Sequence, residues 1–242
     1  MKPFLHLSIR HHDEAVTGEF DAIQRFGRLR EGQLVHLRAE QAPLPPLNPD
    51  DYSGIIIGGG QFNASDEVKT AEQLRVEDDL GRILDLALAE GLPLIGLCYG
   101  VGLVTRHLGG VVDGTYSETT SAVEITLTPD GKNDPVFDGV PSTFMAFVGH
   151  KEACTQMPDG AVQLASGTAC PVQAFRVNEH VYATQFHPEL DLDGLIHRME
   201  VYRHSGYFPA DEFDELVEVA RGAGVDGTPG IILRNFVERF AR

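Results

Sequence analysis

Short apolar runs alternate with longer amphipathic stretches through the first hundred residues of the chain. Apolar residues three or four apart, such as Val16, Phe20 and Ile23, predict helices, whereas a continuous run such as Ile55 to Ile57 predicts a strand covered on both faces. The predicted strands of this half are residues 4–9, 33–37, 54–57 and 93–97. The predicted helices cover residues 13–29, 70–90 and 99–108, and Gly91 is expected to follow the second helix as its C′ residue.

The pattern changes in the second half of the chain. Residues 122–128 alternate between apolar and polar and end at the predicted turn Pro129-Asp130-Gly131. Further strands are predicted at residues 143–148, 161–165, 172–177 and 181–186, with a hairpin through Asn178-Glu179-His180 joining the last two. Helical spacing returns at residues 192–204, 210–221 and 229–241. We therefore expect a three-layer α/β fold with a mostly parallel central sheet, additional antiparallel strands and C-terminal helices.

The domain organisation follows from the same pattern. Residues 1–190 are expected to form one domain, and residues 191–242 a helical extension packed on it. In that extension Arg198, Tyr202, Arg203 and His204 are candidates to face a pocket, to dock a partner or simply to cover the sheet, and covering the sheet is the simplest interpretation.

The composition describes an ordinary globular protein, with 42% hydrophobic and 23% charged residues. A net charge of −17, from 36 acidic and 19 basic residues, makes nucleic acid and anionic membranes unexpected partners. No segment resembles a signal peptide or a membrane span. The three cysteines have no paired spacing, which favours a reducing cytoplasm over disulfides, and we expect Cys154 and Cys170 to be structural. No metal-binding or cofactor-binding motif is present.

The segment from Leu94 to Leu103 carries the strongest candidate chemistry. Its apolar run ends at Cys98, which has Gly96 and Gly100 two residues away on either side. Glycines at this spacing permit a sharp turn from a strand into a helix that holds the central side chain at the edge of the sheet. A helix N-terminus favours a thiolate, so Cys98 is predicted to be a nucleophile. A buried structural cysteine beside a tight turn is the alternative for this motif taken alone.

A cysteine nucleophile needs a base and a group that orients the base. His187 ends a predicted strand, and Pro188 after it favours extended backbone. Residues two apart in an extended chain project to the same side, so Glu189 can reach the imidazole and stabilise its charged form. An unrelated surface glutamate beside a histidine at a hairpin end is the alternative.

The reaction also needs hydrogen-bond donors for a developing oxyanion. The N–H of Tyr99 is one candidate. The run Gly58-Gly59-Gly60, at the end of a neighbouring predicted strand, offers another because no side chain blocks close approach. A phosphate-binding loop is the weaker alternative, since no Gly-x-Gly-x-x-Gly or Gly-Lys-Ser/Thr pattern follows.

These motifs, in this order, resemble those of the class I (triad-type) glutamine amidotransferases. The glycine run, the Gly-x-Cys-x-Gly elbow and the late His-Pro-Glu are accompanied by matching flanks. Those flanks are residues 91–96 before the elbow, Leu108-Gly109-Gly110 after it, and residues 148–152 ahead of the last hairpin. The similarity covers residues 50 to 190 and is nearest to the amidotransferase part of GMP synthase-like proteins. It implies a class I amidotransferase-like, flavodoxin-like fold.

The resemblance also implies roles for individual residues. It implies a catalytic triad of Cys98, His187 and Glu189 and an oxyanion hole formed by the N–H groups of Gly60 and Tyr99. It places Gly59, Gly60, Gly102, Gly149 and His150 around the bound glutamine, although the His150 side chain is better interpreted as a loop histidine without substrate contact.

Two positions depart from the family pattern. The family usually has glutamine where this chain has Gly102, and commonly proline where it has Gln61. We expect Gly102 to remove a substrate contact and to open space beside the thiol, which leaves hydrolysis possible with a substrate other than free glutamine.

The implied activity is hydrolysis of a γ-glutamyl amide through a Cys98 thioester. The 242 residues include no ATP-using synthetase segment, so we expect released ammonia to pass to a separate partner or to be lost. Because Gly102 is expected to widen the pocket, we expect a stand-alone enzyme that acts on glutamine or a γ-glutamyl small molecule. A glutaminase subunit that delivers ammonia to a separate synthetase partner is the first alternative. A non-catalytic member of the fold that binds a ligand or partner is the second, and a relative with a similar cysteine elbow but different chemistry is the third.

Overall fold

A nine-stranded sheet forms the centre of the protein in the computed structural model, which describes residues 1–204, 208 and 210–242. The strands of the described chain are β1 Phe4–Ile9, β2 Leu34–Arg38, β3 Gly54–Gly60, β4 Leu94–Leu97, β5 Val111–Asp113, β6 Glu118–Leu127, β7 Thr143–His150, β8 Ala153–Gln156, β9 Val162–Gly167, β10 Ala174–Val177 and β11 Val181–Thr184. The helices are α1 Asp13–Phe26, α2 Ala71–Glu90, α3 Tyr99–His107, α4 Pro129–Asn133, α5 Leu192–Val201, α6 Phe213–Gly222 and α7 Thr228–Phe240.

The central sheet has the strand order β2-β1-β3-β4-β11-β10-β9-β6-β7. The first five strands in this order are parallel, and the remaining pairs are antiparallel. This confirms the expected parallel sheet with added antiparallel strands. Because β3, β4 and β11 are neighbours and parallel, their carboxyl ends meet at one edge, where ligands bind in sheets of this type.

Helices cover both faces of the sheet, as the three-layer prediction requires. On one face α2 and α3 pack Val76, Leu80 and Val104 against the strands. On the other face α1 and α7 do the same with Ile23 and Phe236. Strands buried on both faces exclude water from their apolar side chains, which explains the continuous apolar runs in the sequence.

The long helix α2 shows how local signals set an element's ends. The Thr70 hydroxyl accepts a hydrogen bond from the N–H of Gln73 at 3.1 Å and caps the first turn. At the other end Gly91 adopts φ +65°, which is favourable for glycine, and its N–H donates to the carbonyl of Ala87. The prediction that Gly91 follows the helix as its C′ residue is confirmed.

The C-terminal helices differ in what they cover. In α7, Phe236 lies with its ring centroid 6.0 Å from that of Phe4 in β1, so this helix contributes to the core of the first strands. Helices α5 and α6 instead form a separate apolar cluster with Phe147 of β7, to which Leu195 and Met199 belong. Helix α5 thereby approaches the carboxyl edge of the sheet.

The structure differs from the sequence analysis at two places. The segment Pro129-Asp130-Gly131 begins the short helix α4 rather than a simple turn, because the Thr128 hydroxyl accepts the N–H of Gly131 and caps it. Strands β5 and β8 form a two-stranded sheet that the sequence pattern did not predict, because three and four residues are too few to show a period. The other predicted strands and helices are confirmed with ends shifted by a few residues.

Among the described residues, no helix combines the length and apolar character needed to cross a bilayer.

Candidate active site

Cys98 lies in a strained turn between β4 and α3. Its backbone has φ +54° and ψ −86°, a conformation that residues with a side chain rarely adopt. Its N–H donates to the carbonyl of Thr184 at 2.7 Å and ties the turn to β11. A Cβ added to Gly96 would lie 2.7 Å from the Cα of Gly100. Glycine at position 96 therefore permits close packing of α3 on β4, while the strained φ belongs to the cysteine itself.

The Cys98 thiol is partly exposed and has weak polar contacts. The carbonyl oxygen of Gly149 and the Nε2 atom of Gln185, which donates toward the sulfur, each lie 3.9 Å from Sγ. Burial raises the pKa of Cys98 to about 12, despite the opposing positive charge of Arg10. The helix N-terminus alone does not ensure a thiolate, because burial opposes ionisation, and we expect the thiol to need a base.

His187 and Glu189 follow β11 and lie at the same edge of the sheet. The His187 N–H donates to the carbonyl of Phe147 at 3.0 Å and fixes the position of the residue. Its Nδ1 atom is 2.7 Å from Oε1 of Glu189. Arg198 of α5 reaches the same pair, with Nη1 3.1 Å from Nδ1 of His187 and Nη2 donating to Glu189 at 3.2 Å. The structure thus brings the predicted base and its orienting carboxylate together.

Charge and burial favour a neutral His187 beside an ionised Glu189. Burial lowers the pKa of His187, although the charge of Glu189 opposes the fall. Burial alone would raise the pKa of Glu189, but the contacts with His187 and Arg198 outweigh it and bring this pKa to about 2. A neutral imidazole beside an ionised carboxylate is the arrangement that general-base catalysis requires near neutral pH.

Each glycine at the end of β3 leaves room for a different neighbour. A Cβ on Gly58 would overlap the carboxylate of Glu19, and one on Gly60 would overlap the side chain of Ile9. The N–H of Gly59 donates to Oε1 of Glu19 at 3.1 Å. Gly59 therefore supports a buried carboxylate, which differs from its expected place around the substrate.

Glu19 and Arg10 are the functional candidates that sequence reasoning missed. Glu19 is fully buried in α1, and its carboxylate accepts from Nε of Arg10 at 2.9 Å while Nε2 of His6 lies 3.2 Å away. Burial raises the pKa of Glu19, but Arg10 and His6 outweigh it and hold the pKa well below its usual range. The signal available in the sequence was an acidic residue three positions after Val16, on the apolar face of the helix.

Arg198 connects this carboxylate to the candidate base. Its Nη2 atom lies 3.9 Å from Oε1 of Glu19 as well as 3.2 Å from Glu189. Arg198 and Tyr202 both line the pocket beside Cys98, so two of the four residues considered in the C-terminal extension face it rather than only covering the sheet.

The space beside Gly102 is filled. A Cβ at Gly102 would lie 2.6 Å from Oε1 of Glu152, whose two carboxylate oxygens accept the N–H groups of Ala64 and Ser65 at 2.7 Å each. The expectation that Gly102 opens room next to the thiol is wrong, because a carboxylate from the β7–β8 connection occupies the position.

His150 is held by its own hydrogen bonds. Its Nε2 atom lies 2.9 Å from Glu118, and its Nδ1 atom lies 2.9 Å from the carbonyl of Glu152. With both ring nitrogens engaged, the side chain fits the interpretation of a structural histidine. Cys154 and Cys170 are fully buried and line neither pocket at Cys98, which agrees with the structural role expected for them.

Two pockets meet at Cys98, and Gly60 and Gly149 border both. The first, here called the oxyanion-side pocket, has a volume of about 380 Å³ and is lined by Gly60, Phe62, Asn63, Cys98, Tyr99, Gly102, Gly149, His150, Lys151, Glu152 and Gln185. The second, here called the α5 pocket, has a volume of about 540 Å³ and is lined by Arg10, Gly60, Cys98, Thr120, Val148, Gly149, His187, Leu190, Leu195, Arg198, Met199, Tyr202 and Phe208. The predicted oxyanion donors Gly60 and Tyr99 thus share a pocket with Cys98, and the predicted base borders the other.

Curated proteins similar to this chain are GMP synthases or their subunits. It is 28% identical over 172 residues to a glutamine-hydrolyzing GMP synthase subunit of Methanoregula boonei, covering 69% of this chain and 84% of that protein. It is 32% identical over 206 residues to the GMP synthase of Streptomyces avermitilis, covering 80% of this chain and 36% of that protein. For the GMP synthase of Neisseria meningitidis the identity is 27% over 165 residues, with 67% of this chain and 29% of that protein covered. The matches to the last two synthases thus span well under two thirds of their length.

Solved structures share the fold. A glutamine amidotransferase from Thermotoga maritima superposes with a TM-score of 0.78 at 20% identity, covering 99% of this chain and 98% of that one. A glutamine amidotransferase from Methylobacillus flagellatus gives a TM-score of 0.75 at 17% identity, covering 100% and 96%. These likenesses confirm the expected class I amidotransferase-like fold. The family described as glutamine amidotransferase class-I matches residues 24–199, which is most of the chain. The protein therefore belongs to the class I glutamine amidotransferase family.

Proposed function

We propose that this protein hydrolyses the γ-amide of glutamine or of a γ-glutamyl compound through a thioester on Cys98. The observation that carries the proposal is that Cys98, in its strained turn, lines the same pocket as His187, which is hydrogen-bonded to Glu189. A cysteine, a neutral buried imidazole and an orienting carboxylate are the groups that nucleophilic acyl transfer needs.

In the acylation step, Nε2 of His187 removes the proton from the Cys98 thiol and Sγ attacks the amide carbon. The carbonyl oxygen becomes an oxyanion, which the N–H groups of Gly60 and Tyr99 stabilise. The C–N bond then breaks as His187 returns the proton to the departing nitrogen, which leaves as ammonia or an amine. In deacylation His187 takes a proton from water, the hydroxide adds to the thioester carbon, and glutamate leaves while the thiol regains its proton.

Glu189 sets the tautomer on which these steps depend. The Nδ1 atom of His187 is closer to Glu189, at 2.7 Å, than to Nη1 of Arg198, at 3.1 Å. An Nδ1–H that donates to the carboxylate leaves the lone pair of Nε2 available to the thiol. Arg198 acts as a positioning residue, because it donates to Glu189 and holds the carboxylate in place.

The test is release of ammonia or amine by the purified protein, with glutamine and γ-glutamyl peptides as substrates. We expect turnover by the wild type, loss of turnover in Cys98→Ala, and retention in Cys154→Ala, which removes a thiol from a buried site away from the pockets. Turnover that survives in Cys98→Ala, or that is absent with every amide, would contradict the proposal.

A second candidate is a glutaminase subunit that supplies ammonia to a separate synthetase. Similarity over 84% of the GMP synthase subunit from Methanoregula boonei favours it, since that relative is itself one component of a larger enzyme. This function predicts a protein that is inert alone and gains glutaminase activity in a stoichiometric complex. Full activity of the isolated chain would favour the stand-alone enzyme.

A further inference from the structure

The two pockets at Cys98 present different chemistry to a substrate. The oxyanion-side pocket is lined by Tyr99 and by the charged residues Lys151 and Glu152. The α5 pocket contains His187, and its wall is mainly apolar. A scissile amide positioned at Sγ therefore has one half in each pocket.

The direction of the substrate follows from the direction of proton transfer. His187 returns its proton to the departing nitrogen, so that nitrogen must lie on the side that His187 lines. The acyl half must lie where the Tyr99 N–H can reach the carbonyl oxygen. The γ-glutamyl group then occupies the oxyanion-side pocket, whose lining includes the charged residues Lys151 and Glu152.

We propose that the α5 pocket binds the amine half of the substrate, and that this amine is an apolar amino acid with a free carboxylate. The inference rests on the proposed function and names its substrate class as γ-glutamyl dipeptides with an apolar second residue. Hydrolysis would transfer the γ-glutamyl group to Sγ, release the apolar amino acid with the proton from His187, and then release glutamate with the addition of water.

The apolar lining is the first observation behind the assignment. Val148, Leu190, Leu195 and Met199 line the pocket and are each at most 4% exposed, so their positions are set by packing. The space between these side chains measures about 540 Å³ when the solvent at its open side is included. An apolar side chain of the amine would pack against these side chains without burying an unpaired polar group, which favours binding.

The paired guanidinium groups are the second observation. Arg10 is anchored through Nε to Glu19 at 2.9 Å, and Arg198 through Nη2 to Glu189 at 3.2 Å, and both line the α5 pocket. A guanidinium has five N–H donors, so one anchored in this way retains donors for a carboxylate. Burial and the nearby charge of Arg10 lower the pKa of Arg198, and an incoming carboxylate would relieve that repulsion.

Four amides test the assignment as two independent contrasts. γ-Glutamyl-leucine carries both features, and γ-glutamyl-glycine keeps the carboxylate without the apolar side chain. γ-Glutamyl-isopentylamide keeps the apolar chain without the carboxylate, and γ-glutamyl-methylamide lacks both. We expect kcat/KM for γ-glutamyl-leucine to exceed that for each single-feature amide by at least about tenfold, and the amide with neither feature to be the poorest.

A variant links the preference to the pocket. Thr120 is half-buried and lines the α5 pocket, so Thr120→Phe should reduce its volume without overpacking the core. We expect the ratio of kcat/KM for γ-glutamyl-leucine to that for glutamine to fall at least about tenfold. Val219→Phe is the matched control, because Val219 is 59% exposed on α6 and should leave the ratio unchanged.

Binding to Cys98→Ala, measured by calorimetry, separates this inference from the proposed function. If the wild type hydrolyses glutamine but has equal kcat/KM for the four amides, the pocket assignment would be overturned. The proposed function would still be supported. Binding of γ-glutamyl-leucine in the expected order without turnover by the wild type would support the assignment and overturn the function. If kcat/KM depends on the apolar chain of the amide but not on its carboxylate, the proposal that the amine is an amino acid would be overturned. Absence of both binding and turnover would overturn both proposals.

Discussion

Gly102 lies so close to Glu152 that a Cβ at position 102 would be 2.6 Å from Oε1 of the carboxylate. Glu152 receives two backbone N–H groups, from Ala64 and Ser65, and thereby holds the loop after β3 beside the candidate oxyanion hole. The absence of a side chain at position 102 thus leaves room for the Glu152 carboxylate and does not enlarge the pocket.

Gly102→Ala should therefore destabilise the protein. The added Cβ would displace the Glu152 carboxylate and weaken its two hydrogen bonds, at a cost of about 1–3 kcal/mol in the free energy of unfolding. Gly100→Ala is the matched control in the same helix, because a Cβ there meets no atom within 4 Å. Urea denaturation measures both, and the control should be neutral or more stable by up to about 1 kcal/mol. Equal losses in the two variants would disprove the role of Glu152.

The buried carboxylate of Glu19 predicts a large loss on neutralisation. Glu19→Gln would leave Arg10 without its anionic partner in a buried site, and we expect a loss of about 3–5 kcal/mol of stability. Asp21→Asn makes the same chemical change at an exposed position of α1 and should have little effect. Because the pKa of Glu19 is held below its ordinary value of 4.5, its contribution is present above pH 4.5 and is lost as pH falls further. The stability of Glu19→Gln should accordingly depend less on pH in the acid range, and an unchanged dependence would argue against the ion pair.

The raised pKa of Cys98 predicts its reactivity toward alkylating reagents. Because the thiolate is the reactive form and the pKa is about 12, alkylation by iodoacetamide should accelerate by about tenfold per pH unit between pH 7 and pH 10. Peptide mass spectrometry should find the label on Cys98 and not on the fully buried Cys154 and Cys170. A rate that reaches a plateau below pH 8 would show that the resting thiol has a low pKa instead.

The lowered pKa of His187 predicts the acid limit of activity. A neutral base is needed, so kcat/KM for glutamine should remain high until the pH falls below the ordinary histidine value of 6.5. Glu189→Gln removes a charge that raises the pKa of His187, so the acid limb should move to lower pH while kcat falls by about 10²- to 10⁴-fold. If kcat falls in Glu189→Gln but the acid limb of the pH profile does not move, the role of Glu189 would be merely structural.

Local sequence patterns predicted the order of the strands and helices along the chain. Strands buried on both faces, helices with apolar spacing, the glycine after α2 and the hairpin before His187 each depend on residues close together in the chain. The candidate nucleophile and base were found for the same reason, since Gly-x-Cys-x-Gly and His-Pro-Glu are short motifs whose geometry follows from a turn and an extended segment.

The groups that surround the candidate nucleophile and base depend on the tertiary structure. Glu19 and Gly59 are forty positions apart, and Glu152 and Gly102 fifty, so no local pattern relates them. The burial that raises the pKa of Cys98 also depends on tertiary structure, because a helix N-terminus can be inferred from sequence whereas the depth of burial cannot. Desolvation and close packing arise only when distant segments meet, and they determine the charge and the space at this site.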